Sequence, residues 1–196
     1  MTSADLRTLF VATLTDPARA ARQLIAAGLP RQAVWQALLL AAALNAILFS
    51  LSNMALPAPE MFPGFMRSPL AYFALVVLGM VVFVQALSWA GRLLGGQGGF
   101  DRVLVVMVWF QYLRLAVQAA SFVLVLTIPV LSVLLVMAAT VIGIWILLHF
   151  IAQAHGLDNL GRAAGVLIVA ALAMVVATSM FIALVGGPML GSVHHV

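Results

Sequence analysis

Five apolar runs, each long enough to cross a bilayer, leave this chain few ways to fold. They are Val34–Leu56, Leu70–Gly91, Arg102–Ile128, Val130–Gln153 and Ala163–Val185, where a spanning helix needs roughly 20 residues. In hydrocarbon every backbone N–H and C=O must find its partner within the chain, so only helices or a closed barrel can cross. None of the runs alternates apolar with polar as a barrel strand would, and Leu, Ala, Val and Met dominate, which favours helices. Only 7% of the residues are charged and 65% are hydrophobic, against about 25% charged in a soluble domain. The expected fold is all-α, a polytopic bundle of five transmembrane helices. Three parts are expected: amphipathic helices over residues 1–33, the membrane domain over 34–186 and a short tail over 187–196.

The first run begins only at Val34 and no small-residue cleavage site follows it, so the first span is expected to stay in the membrane. Orientation follows from arginine placement. With the N-terminus cytoplasmic, one side carries Arg7, Arg19, Arg22, Arg31, Arg92, Arg102 and Arg162, and the other carries only Arg67. The expected topology is N-terminus in, five spans, C-terminus on the opposite side. The net charge of +4 then serves anionic lipid at the membrane surface, with Arg7, Arg19, Arg22 and Arg31 as the surface residues, and calls for no nucleic acid. All nine basic residues are arginine, a bias expected of a GC-rich bacterial genome, and the bacterial inner membrane is the expected location.

Before the first span, Leu6, Leu9, Phe10, Thr13 and Leu14 recur at helical spacing. Asp16-Pro17 suits an N-cap followed by the first helical position, and Gly28 and Pro30 close a second helix running from Pro17 to Ala27. The pair either lies on the leaflet or caps the bundle. Of the four residues Leu6, Leu9, Phe10 and Leu14, all are expected to be buried, in lipid or against the spans. Pro57, Pro59 and Pro63 make a rigid loop beside Glu60 and Gly64. Pro129 leaves almost no loop between the third and fourth spans, so those two form a tight hairpin.

Arg114 falls near the middle of the third span, where a charge costs roughly 2.5–3.5 kcal/mol on insertion scales. Gln111, Arg114, Gln118 and Ser121 lie at i, i+3, i+7 and i+10 and make one polar stripe. A stripe of this kind is expected to face other helices or a wet cavity. No acid lies within the spans, so Asn45, Thr140 and helix-terminal carbonyls are the partners in reach. Two readings stand: an anion, lipid-headgroup or solute site, or a structural arginine held by amides and snorkelling to water.

Other chemistry is thin. Cysteine is absent, which removes disulfides, thiolate metal sites and cysteine nucleophiles. The glycine-rich turn Gly95-Gly96-Gln97-Gly98-Gly99 lacks the GxxxxGK[ST] pattern and the preceding strand of a phosphate loop. A bis-histidine haem needs two facing ligands, and only His149 lies within a span; His155 lies just beyond it, and His194 and His195 end the tail. No metal or cofactor is expected. Trp35, Trp89 and Trp109 fit an aromatic belt at one interface.

Four pieces recur together: Asp16-Pro17 after an amphipathic helix; Gly95-Gly96-Gln97-Gly98-Gly99-Phe100 opening the third span; Ile144-Trp145-Ile146-Leu147 in the fourth; and His155-Gly156-Leu157 followed by Gly161-Arg162-Ala163. In this the chain resembles the Yip-domain family, the Ypt/Rab-interacting membrane proteins and their bacterial relatives, over nearly its whole length. It departs where many relatives carry a proline in the third span and this chain has Gln111-Tyr112-Leu113-Arg114. The resemblance implies five spans, a cytoplasmic N-terminus and no catalytic residues. The expected function is a non-enzymatic scaffold or accessory subunit that binds membrane lipids or other integral membrane proteins and leaves room for homo-oligomers. The alternative is a small solute or ion transporter or channel that uses the polar stripe of the third span.

Overall fold

The computed structural model describes residues 3–56 and 68–190, with side-chain environments for residues 6–56 and 68–180. The Pro57–Pro63 loop, Glu60, Arg67, His194 and His195 lie outside the described residues. Seven helices follow one another: α1 (Ser3–Thr15), α2 (Pro17–Ala26), α3 (Arg31–Ala55), α4 (Pro69–Leu93), α5 (Phe100–Thr127), α6 (Pro129–His155) and α7 (Leu160–Leu190). Helices α3 to α7 are long and apolar enough to span a membrane. They match the five runs read from sequence, with ends extended by a few residues; α7 continues past the border drawn at residue 186. The fold is all-α among the described residues.

Local chemistry sets the boundaries. Asp16 accepts a hydrogen bond from the Arg19 N–H (2.9 Å) and Pro17 opens α2, as an N-cap and a first-turn proline should. Gly28, at φ +55°, follows the α2 C-cap. Ile128 alone separates α5 from α6, and its N–H bonds to the Leu124 carbonyl (2.6 Å) while Pro129, which has no N–H, begins the next helix.

Helices α5 and α6 pair along their length; α4 lies against α3 and α7, and α2 tucks against α6 and α5 with α1 laid over it. The two turns 94–99 and 156–159 meet at the end that carries α1 and α2, hereafter the proximal end. The core is concentrated there. Leu38, Leu87, Leu104, Met107, Phe150 and Val166 are fully buried, and each lies in the proximal half of its helix. Toward the distal end α6 and α7 expose Val130, Val133, Met137, Leu172 and Val176. In water such a surface would drive aggregation; in hydrocarbon it is the contact face of a span.

Only part of α1 meets the core. Leu9 (5% exposed) and Thr13 are buried against the bundle, while Leu6, Phe10, Val11 and Leu14 are exposed. The helix therefore works on two sides: one row docks on the spans and the other is exposed. Of Leu6, Leu9, Phe10 and Leu14, expected to be buried in lipid or against the spans, Leu9 is buried by protein.

Candidate functional site

The residues that carry the sequence motifs converge at the proximal end. Helix α4 ends in a left-handed Gly95 (φ +81°), with Gly95 N–H bonded to the Arg92 carbonyl (3.1 Å) and Gly96 N–H to the Gly91 carbonyl (2.8 Å). Helix α6 ends the same way: Gly156 sits at φ +65°, its N–H reaches the Gln153 carbonyl (3.4 Å), and Leu157 N–H reaches the Ala152 carbonyl (2.8 Å). Both are Schellman closures, in which a residue without a Cβ takes the left-handed position and the last carbonyls are satisfied. Buried Leu157 supplies the apolar contact that accompanies such a turn.

The two closures are welded together. Gln97 N–H donates to the His155 carbonyl (2.9 Å), and the Arg162 guanidinium donates to the Leu94 carbonyl at the end of α4, where a cation is favoured by the helix dipole. Asn159 caps α7 by accepting from the Gly161 N–H (2.7 Å). At the centre stands His155, 1% exposed. Its Nδ1 pairs with the Ile151 carbonyl (3.0 Å), and its buried Nε2 has only the Leu87 backbone near it, short of good hydrogen-bond geometry. The ring fills a space bounded by three glycines. A Cβ on Gly91 would lie 2.0 Å from His155 Cδ2, one on Gly98 2.5 Å from the same atom, and one on Gly96 2.8 Å from His155 Cβ. Any other residue at these positions would collide with the imidazole. The motif glycines thus serve close approach of α4 and α6. The turn reads as a latch: Gly95 takes the left-handed position, and Gly96 and Gly98, with Gly91 of α4, make room for the ring.

The polar stripe of α5 does not stay together. Gln111 is buried, Gln118 and Ser121 are half-buried, and Arg114 is exposed. The expectation that Arg114 points into the bundle with Gln111 and Gln118 is thereby corrected. At about 100° per residue, positions i, i+3, i+7 and i+10 cover an arc of roughly 80°; Gln111 is at one edge, facing the neighbouring helices, and Arg114 lies about 60° round from it on the open side. Among the described residues Arg114 makes no hydrogen bond or ion pair, and it lies near the Tyr72 phenol. Tyr72 donates from its hydroxyl to Asn45 Oδ1 (3.1 Å) and stacks on Phe49 at 4.0 Å between ring centres. Buried Asn45 and Tyr72 clamp α3 to α4, and Arg114 stands at the rim of that clamp. Ser121 turns instead to α6, sharing a hydrogen bond with Ser132 (2.8 Å). Thr140 is exposed and its hydroxyl donates to the Val136 carbonyl of its own helix (2.7 Å). Tyr72 was not singled out from the sequence, because its partners lie on other helices.

A third feature lies under the N-terminal helices. The Trp109 indole donates to the Thr13 hydroxyl (3.0 Å), which donates in turn to the Leu9 carbonyl (2.8 Å). Trp109 is therefore a clamp between α5 and α1 as well as a residue near one end of its span. Between α1, α2, α3 and α5 is a cavity of about 560 Å³. Arg7 contributes to its lining; Arg19 and Arg22 are exposed on α2, and Arg31 pairs with Asp101 at 3.4 Å with both side chains 68% exposed. An ion pair so exposed contributes about 0–1 kcal/mol. No three His, Asp or Glu side chains gather among the described residues.

Five spanning helices, a latch of turns at one end and apolar outer faces define a polytopic helical integral membrane protein. The Yip1 domain profile matches residues 11–181, and the chain belongs to the Yip1 domain family. No curated protein and no solved structure matches it.

Proposed function

We propose that this Yip-family protein is a non-enzymatic scaffold or accessory subunit of the bacterial inner membrane, one that binds lipids and other integral membrane proteins. The observation that carries this reading is how the polar groups are spent. His155, Gln97, Arg162 and Asn159 hold the turns, Asn45 and Tyr72 hold α3 to α4, and Ser121 and Ser132 hold α5 to α6. These contacts are internal, whereas the broad apolar faces of α4, α6 and α7 are open on the single chain. A protein arranged so offers surfaces, not a reaction centre. The arginine asymmetry supports a cytoplasmic N-terminus with the latch on the same side.

Proteoliposomes of the purified chain should show no flux of small anions or cations above that of empty vesicles, while native purification should retain other membrane proteins. The Arg114→Leu variant should insert and melt at or above the wild-type temperature, because it removes an unpaired charge from mid-span. Flux through the wild type that Arg114→Leu abolishes would replace the scaffold reading with a transporter.

Orientation has its own test, and the structure chooses the probe. Gly98 is a poor place for a cysteine because its Cβ would strike His155, whereas Gln97 is exposed. In this cysteine-free chain, Gln97→Cys should resist impermeant maleimide in intact cells and react after permeabilisation. Labelling of intact cells would reverse the topology.

A further inference from the structure

We propose that the cavity between α1, α2, α3 and α5 holds an acyl chain of an anionic phospholipid, with the phosphate of that lipid at Arg7. The inference rests on the reading of the chain as a lipid-binding membrane scaffold, and it names the lipid and the place.

The cavity, about 560 Å³, is within the roughly 300–1,000 Å³ usual for ligand sites. Leu6 and Phe10 of α1, Leu24 of α2, Val34 of α3, and Val108 and Trp109 of α5 supply most of the wall. The two neutral polar groups on that wall are already committed. Trp109 Nε1 donates to Thr13, and the Tyr112 hydroxyl donates to the Ala37 carbonyl at 2.8 Å. The interior is left with the chemistry of hydrocarbon. Away from Arg7 a polar ligand would find no free donor there, and water would find few partners. An alkyl chain loses nothing by entering.

Arg7 is the one charged residue of the lining. It is exposed and makes no ion pair among the described residues. Arg19, Arg22 and Arg31 add positive charge at the same end of the molecule. A hydrocarbon slot with a cation in its wall is complementary to an amphiphile with a tail and a negative head. The exposed row of α1, Leu6, Phe10, Val11 and Leu14, is continuous with the cavity through Leu6 and Phe10, so the rest of the lipid has an apolar surface to lie on.

Trp109 in the wall provides the readout. With Trp35→Phe, Trp89→Phe and Trp145→Phe, the full chain keeps it as the sole tryptophan. In detergent micelles, brominated phosphatidylglycerol should quench Trp109 saturably, at a concentration about fivefold below that of brominated phosphatidylcholine, since one arginine near the surface is worth about 1 kcal/mol toward an anionic lipid. Ala33→Phe fills the cavity and should remove the saturable phase. Arg7→Gln should leave quenching intact and erase the headgroup difference. Should the triple variant misfold, native mass spectrometry of the wild type should show retained phosphatidylglycerol that Arg7→Gln loses. Quenching that never saturates, is equal for both lipids and ignores Ala33→Phe means annular lipid only and overturns the assignment, as does a site that takes free fatty acid and excludes the phospholipid. If lipid binding fails these tests while partner proteins still co-purify with Ala33→Phe, the cavity assignment falls and the scaffold reading stands.

Discussion

Gly91→Ala should cost this protein about 3 kcal/mol, at the upper end of the usual penalty for overfilling a packed interior. A methyl there would sit 2.0 Å from His155 Cδ2 and 2.1 Å from Nε2. The ring has nowhere to retreat. Gly96 and Gly98 close on it, and Nδ1 is tied to the Ile151 carbonyl. His155→Ala should also destabilise, because it empties a buried site, although it removes a poorly satisfied Nε2 at the same time. The informative variant is the double one. With the ring gone the new methyl has room, so Gly91→Ala/His155→Ala should be more stable than the sum of the single effects by about 1–3 kcal/mol, the coupling expected of residues in contact. Melting of the four proteins in one detergent provides the comparison. Additive effects would mean that the imidazole does not occupy the glycine space.

Leu9→Asp and Phe10→Asp, adjacent in sequence, should differ sharply. Leu9 is 5% exposed and Phe10 is 42% exposed. A carboxylate at residue 9 would be buried without a partner, which the fold avoids by releasing α1. Release gives up about 1.5–3 kcal/mol of leucine burial together with the Trp109–Thr13–Leu9 hydrogen-bond chain. A 13-residue helix with no docking face is marginal in water, so the segment should become sensitive to trypsin at Arg7. Phe10→Asp alters the exposed row and the cavity wall, not the docked row. It should leave the melting temperature near wild type and weaken association with lipid. Equal loss from both variants would contradict the two-sided placement of α1.

What the chain reveals before folding is governed by how far each signal reaches. The spans, the Asp16-Pro17 boundary and the Pro129 hairpin are local, and each is legible because hydrophobic length, capping and the missing proline N–H act within a few residues. The stripe on α5 was legible as a stripe but not as an environment. Periodicity puts Gln111 and Arg114 on one side of a helix, yet which part of that side meets α3 and which is left open depends on neighbours the sequence does not locate. Thr140 met no partner because a threonine hydroxyl in a helix readily bonds the carbonyl one turn back. The role of His155 was hidden for a different reason. Its counterparts, Gly91, Gly96 and Gly98, lie about 60 positions earlier in the chain, and what they contribute is the absence of a side chain. Three such glycines around a turn ahead of a histidine at a helix end were the available signal.

The latch itself can be tested by hydrogen–deuterium exchange on the protein in lipid nanodiscs. If the proximal turns form one unit, amides of Leu94, Gly95, Gly96 and Gln97, bonded to Ala90, Arg92, Gly91 and His155 carbonyls, should exchange slowly for a connecting turn, and His155→Ala should speed the exchange of the 94–99 peptide while leaving the hairpin around Ile128 unchanged. Exchange of 94–99 as fast as in an unstructured peptide, in the wild-type protein, would contradict the latch.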